Sequence, residues 1–234
     1  MDIIRIKTNR YTEKELLKTL RENGMLLQYV PQARQNHEIV ETAVYQNPLA
    51  LRYVNPSYFS ADIIYESISK KGMMLEYVSK KFLTYENCMV AISNAPMALQ
   101  FVPVELQDRN MVETACRKKG SALEFVRKDL INDTLVSMSV KQNGLSLKFA
   151  PDNLKNSYVS LTAVNQDFRA FEYVLPKFQS NHRIIEAYNE SKALSDFPNT
   201  KPLKQRIFNP EITDEGVKVI SRKKEEKKFI GYKF

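Results

Sequence analysis

In 234 residues the chain has no tryptophan, two cysteines, two histidines and six glycines. Each shortage narrows what the protein can be. Two cysteines, Cys88 and Cys116, cannot form the disulfide framework of a small secreted domain, so a reducing cytoplasm is the expected compartment. So few glycines, and no tryptophan, argue against a loop-rich all-β protein. No run of 18 apolar residues occurs, so no membrane span is expected. MDIIRIKTNR lacks the apolar core and small-residue cleavage site of a secretory signal. The P-loop, GxGxxG, GxSxG, HExxH and CxxC are all missing, and acidic residues do not recur as a facing pair. The expectation is a protein that is not an enzyme and needs no cofactor or metal.

What remains is 43% apolar, enough for a packed core. The net charge of +8 is uneven. Residues 12–198 hold 22 Lys+Arg against 21 Asp+Glu, residues 1–11 hold three against one, and residues 199–234 hold ten against five. The body is nearly neutral. A groove tracking phosphates along it would need a basic stripe, which these totals do not supply.

The body is written in a 24-residue period. Leu27, Leu51, Leu75, Leu99, Leu123, Leu147 and Phe171 form one column. Two residues after each stands an aromatic, Tyr29, Tyr53, Tyr77, Phe101, Phe125, Phe149 and Tyr173, with a degenerate eighth, Phe197, at the same spacing. A fixed period of this length marks a stacked repeat array. A second column, Thr12, Asn36, Ser60, Thr84, Asp108, Asn132, Asn156 and Ser180, consists wholly of helix N-cap types, and Thr12 with Glu15 reads as a capping box. Apolar residues three, four, seven and eight places after the cap trace one helical face. The seventh place is always small, which lets a neighbouring helix approach. Twelve places after the cap come Gly24, Pro48, Gly72, Pro96, Gly120 and Gly144, with Phe168 the exception. Glycine is expected to end the helix in the left-handed conformation, and proline to stop one helix and start the next.

The expected fold is therefore all-α: an α-solenoid of about seven units, each a helix of about ten residues, a second of about seven and two tight turns. Neither helix is long enough to stand alone. At 8–10 Å per layer the array would be a rod roughly 60–75 Å long. The array is assigned to 12–194, with 1–11 an N-terminal extension and 195–234 a linker and basic C-terminal segment. MDIIRIK, GVKVIS at 216–221 and KFIGYKF at 228–234 alternate like strands, so the chain ends are candidates for a small β element. The other reading of the C-terminal segment is a disordered basic tail.

These columns resemble one known family, the short helical repeat of bacteria, giant viruses and phages catalogued as domain of unknown function 4116. NDTLVSMSVKQNGLSLKFAPDNLKN carries the resemblance best, with Gly144, Leu147, Phe149, Ala150 and Leu154 in the family's places. The likeness runs over about 12–190. It implies a helical array and no activity. By analogy with its distribution, a viral or phage factor acting on a host protein is the expectation.

Residues that break the repeat are the candidates for function. Tyr65 lies opposite the apolar face of its helix, Tyr45 and Tyr85 lie one turn either way in adjacent units, Met89 shares the column of Tyr65, and Tyr158 points similarly further along. Together they are expected to form a protein-binding patch, against the plainer reading of packing between neighbouring helices. Arg222, Lys223, Lys224, Lys227 and Lys228, with the pairs and triplets at 70–71, 80–81, 117–119 and 127–128, are the candidates for nucleic acid, although cations at helix ends are favoured by the dipole alone. The aromatic column could stack bases but is expected to be core. His37 and His182 lie six units apart and cannot share a metal. Cys88 and Cys116 fall on apolar helix positions and are expected to be buried.

Overall fold

This computed structural model describes Ile6 and residues 11–196. The chain divides into a unit Met1–Lys192, which holds the repeats, and a unit Ala193–Phe234, of which only the last turn of the final helix is described. Among the described residues there are helices and no strands. Of MDIIRIK only Ile6 is described, and it is helical and fully buried. The rest of the expected β element, and the linker and basic segment from 197 on, lie outside the described residues.

Seven α-helices of ten residues recur: α1 Glu13–Glu22, α2 His37–Gln46, α3 Ala61–Lys70, α4 Tyr85–Asn94, α5 Arg109–Lys118, α6 Asp133–Gln142 and α7 Ser157–Gln166. Seven of the eight expected caps act as such. The side chain of each accepts from the N–H three residues on, from Thr12 with Glu15 to Asn156 with Val159. Thr12 and Glu15 complete the reciprocal capping box. Ser180 is the exception. It ends a short helix, α8 Pro176–Gln179, and Asn181 opens α9 His182–Asp196, its Oδ1 accepting from the Arg183 N–H at 3.0 Å. The period itself holds, since Ile184 and Ala187, 24 residues after Ser160 and Ala163, are buried in the same places, and only the cap moves on by one. Asn132→Ala should therefore cost about 1 kcal/mol, whereas Ser180→Ala should leave the thermal midpoint unmoved. Equal shifts from the two in a melting experiment would contradict this capping scheme.

The second helix of each unit differs from the expectation. It is a six-residue 3-10 helix, as in Gly24–Tyr29 and Gly120–Phe125, and a further 3-10 turn such as Gln32–Arg34 occupies the loop before the next cap. Runs of six are long for this geometry. The reason is spacing. Gly24, Leu27 and Val30 are three apart, as are Leu26 and Tyr29, and a three-residue turn places each set on one buried or half-buried stripe. The bond from the Val30 N–H to the Leu27 carbonyl, 3.0 Å, closes this tighter turn. Asn23, Asn47, Asn143 and Asp167 cap four of these helices through their side chains.

The glycines also act otherwise than expected. None of Gly24, Gly72, Gly120 and Gly144 adopts the left-handed conformation. The residue after α1, Asn23 at φ −152°, is extended, and Gly24 follows it as the first residue of the 3-10 helix. What the position requires is the absence of a side chain. A Cβ on Gly24 would lie 2.1 Å from the Ala43 carbonyl oxygen of the next unit, and one on Gly144 2.3 Å from that of Ala163. The small-residue column and the glycine column are two sides of one close approach. Neighbouring α-helices accordingly pack more closely across Gly24, Gly72, Gly120 and Gly144 than across Pro48 or Pro96.

Two glutamine columns complete the joints between units. Gln46 Oε1 accepts from the Gly24 N–H at 2.6 Å, while its Nε2 donates to the Glu22 carbonyl at 3.2 Å. Gln142 does the same for Gly120 and Lys118, and Gln166 accepts from Gly144. The sequence obeys the rule this implies. Each glycine is followed 22 residues later by Gln46, Asn94, Gln142 or Gln166, whereas Pro48 and Pro96, which have no N–H to satisfy, are followed by Lys70 and Lys118. Separately, buried Gln35 bridges the Tyr53 carbonyl and the Asn55 N–H, and buried Gln107 bridges the Phe125 carbonyl and the Arg127 N–H.

Candidate functional site

The repeat fixes which helix faces stay outside. In α2, α3, α5, α6 and α7 the positions three, four, seven and eight after the cap are buried, for example Ile63, Ile64, Ser67 and Ile68 in α3. Positions five and nine lie together on another face, one turn apart. Tyr65 holds the fifth place in α3 and Tyr45 the ninth in α2. Both are exposed, at 57% and 49%. Side chains on a helix lean toward its N-terminus, so the Tyr45 ring reaches back from the end of α2. Its phenol is pushed above its ordinary value by desolvation and by the carboxylates of Asp62, Glu41 and Glu66. Asp62 stands one turn before Tyr65 on α3 and within electrostatic reach of Tyr45. Asp62 thus shares a helix face with Tyr65 and acts electrostatically on Tyr45 across the joint.

The remaining candidates separate from this pair. Tyr85 is half-buried against the core, and its hydroxyl accepts from Asn110 Nδ2 at 3.2 Å. Met89 is also half-buried and lines a shallow concavity of about 390 Å³ with Ser69, Val90, Ser93 and Asn94. Tyr158 is 59% exposed but stands far along the array, in an open groove of about 660 Å³ between α7 and the start of α9. That groove, lined also by Leu161, Asn181, His182 and Arg183, opens where the cap moves from Ser180 to Asn181. The expected patch is thus one tyrosine pair, two half-buried residues on α4, and a separate tyrosine.

The basic clusters are partly occupied within the array. Lys70 pairs with Glu66, the Lys118 ammonium donates to the Ser93 carbonyl, and Arg127 bonds the Val104 carbonyl at 2.9 Å and Asp129 at 2.7 Å. Lys81 lies 4.8 Å from the centre of the Phe82 ring. Each cluster therefore has at least one cation with a structural partner. Arg222, Lys223, Lys224, Lys227 and Lys228 lie outside the described residues.

The aromatic column forms the rim of the core rather than its centre. Tyr29, Tyr53, Tyr77, Phe101, Phe125, Phe149 and Tyr173 are half-buried, while the Leu and Val columns beside them are buried almost throughout. Arg52 lies 5.9 and 5.3 Å from the centres of the Tyr53 and Tyr77 rings and covers part of this rim.

Cys88 and Cys116 are fully buried, and burial pushes both thiols up to about 11. Neither suits a nucleophile, which works as a thiolate. Both should resist an aromatic disulfide reagent at pH 8 in the native protein and react together once it is unfolded. Fast reaction of either in the native state would place it on the surface. Among the described residues no three His, Cys, Asp or Glu side chains gather as a metal site, and no helix is long and apolar enough to cross a membrane.

The fold and the joints define a helical repeat protein built by stacking one 24-residue unit. The family model described as domain of unknown function (DUF4116) matches residues 14–59, 61–107 and 85–131, together half of the chain. The protein belongs to this family, and each match spans about two of the units described here. No curated protein and no solved structure matches the chain.

Proposed function

We propose that the array is a non-enzymatic scaffold that binds a partner protein through the outer face of its α-helices. The observation that carries this reading is the exposure of Tyr45 and Tyr65 on adjacent helices. Tyrosine contributes a large contact area at a low entropic cost and is enriched at interfaces. The repeat does not need these two rings, since the same columns hold Arg117 and Glu113 in a later unit. Stacked repeats offer extended surfaces of this kind as a consequence of their architecture. A viral or phage factor acting on a host protein is the finer reading, by analogy with the family's distribution, and a reducing compartment suits two free thiols.

The second reading is a nucleic-acid binder that uses the basic C-terminal segment. The charge excess of residues 199–234 favours it. An affinity pull-down from a native lysate, with and without nuclease, separates the two. A nuclease-resistant protein should be retained by the full chain, and its yield should fall at least fivefold in Tyr45→Ala/Tyr65→Ala. A signal abolished by nuclease and indifferent to the tyrosines would replace the scaffold reading with the second.

A further inference from the structure

The protein is basic overall, yet the helices that present the tyrosines are acidic. Helices α2, α3 and α4 carry Glu38, Glu41, Asp62, Glu66 and Glu86, and their one Lys or Arg is Lys70. The Lys70 ammonium is already taken by Glu66, four residues before it on the same helix. Helix α5 reverses the balance, with Arg109, Arg117 and Lys118 against Glu113. The acidic excess therefore coincides with the exposed aromatic pair and does not extend along the array. Glu38 and Asp62 are exposed, Glu41 and Glu66 are half-buried, and Asp62, Glu41 and Glu66 all lie within electrostatic reach of the Tyr45 phenol. Tyr45 and Tyr65 also stand on either side of the Pro48 joint, where neighbouring helices are spaced more widely than across a glycine joint.

We propose that this face of α2 and α3, built from Tyr45 and Tyr65 around Glu41 and Asp62, docks an arginine- or lysine-bearing segment of a partner protein. The inference rests on the scaffold reading and names the chemistry of the partner. An arginine side chain meets both demands of the face. Its guanidinium accepts a carboxylate in bidentate geometry and lies flat on an aromatic ring. A phosphate backbone is repelled by the same carboxylates, and an acidic or purely apolar segment leaves them unpaired. Opposite charges also accelerate encounter, so association should slow as salt is added.

The test is fluorescence anisotropy on the full chain with three labelled probes: a nona-arginine peptide, a nona-glutamate peptide and a single-stranded RNA oligonucleotide. The arginine peptide should bind and the glutamate peptide should not bind at this face. Tyr45→Ala/Tyr65→Ala and Glu41→Gln/Asp62→Asn should each weaken the arginine peptide at least fivefold, with the far-ultraviolet circular dichroism of both variants unchanged. Glu66 is left intact because it holds Lys70. Arginine-peptide binding that is absent, or indifferent to both variants, overturns the proposal. If it is absent while pull-down of a protein still depends on Tyr45 and Tyr65, the scaffold reading stands and the cationic partner alone is wrong. RNA binding that is indifferent to both variants, with no peptide bound, removes both.

Discussion

Gly144→Ala is expected to destabilise the array by about 3 kcal/mol, the upper part of the usual range for overpacking. For a unit of this size that corresponds to a fall of roughly 6–12 °C in the thermal midpoint. A methyl group is a small change, and on an exposed helix alanine would be the better residue. Here the added Cβ meets the Ala163 carbonyl oxygen at 2.3 Å and Gln166 Oε1 at 2.9 Å. The first is backbone of the neighbouring helix and cannot rotate away, so the α6 and α7 units must separate. Separation also stretches the bond between the Gly144 N–H and Gln166. Because a repeat array is held by nearest-neighbour interfaces, the damage should localise. Hydrogen exchange should accelerate on both sides of this joint and change little at α1 and α2. A midpoint within 1 °C of wild type, on the same scale, would show that the joint yields freely and that the close approach is not what selects glycine.

Gln107→Leu is expected to cost about as much, for the opposite reason: it adds nothing that clashes and removes two partners. Gln107 is 4% exposed, its Nε2 donates to the Phe125 carbonyl at 3.0 Å, and its Oε1 accepts from the Arg127 N–H at 2.8 Å. Leucine fills the space and leaves both backbone groups unpaired, at about 1–3 kcal/mol each. Gln107→Glu discriminates further. A protonated carboxyl can still donate to Phe125, but a carboxylate cannot, so this variant should lose stability as pH rises through the pKa of the introduced group. Denaturant titrations at pH 4 and pH 8 would read this directly. A leucine variant as stable as wild type would mean that water replaces the glutamine. Natural variation agrees with the expectation. Where this column meets a proline, as Tyr11 with Pro31, Leu83 with Pro103 and Ile131 with Pro151, the residue is never glutamine, because there is no N–H to satisfy.

Much of the fold could be read from the sequence because repetition averages out local noise. Seven cap positions gave the starts of the seven ten-residue α-helices to the residue, and the eighth, Ser180, misled. Ser180 and Asn181 are both cap types, so nothing local reveals which of them takes the role. The 3-10 geometry was legible but easily missed. Gly, Leu and Val recur three apart, and a short apolar run with that spacing resembles a brief α-helix until its hydrogen bonds are seen. The glutamine joints were also present in the sequence, as a match between residues 22 apart, but the match has no meaning until the structure brings those residues together.

The candidate site was less legible. Sequence position places Tyr45, Tyr65, Tyr85 and Met89 on outer columns without deciding their exposure, which depends on how far each neighbouring helix covers them. Tyr85 is engaged by Asn110 from the next unit, whereas Tyr45 and Tyr65 flank the wider Pro48 joint and stay uncovered. The sequence by itself determined the period, seven of the eight caps, the buried face of most α-helices and the choice of glycine or proline at each joint, because these follow from local hydrogen bonding and helical periodicity. Tertiary structure alone decided which tyrosines remain exposed, that Lys118 is spent on the Ser93 carbonyl of the neighbouring unit, and that Asp62 of α3 lies within electrostatic reach of Tyr45 on α2. Those outcomes depend on distances between units, and no single unit contains them.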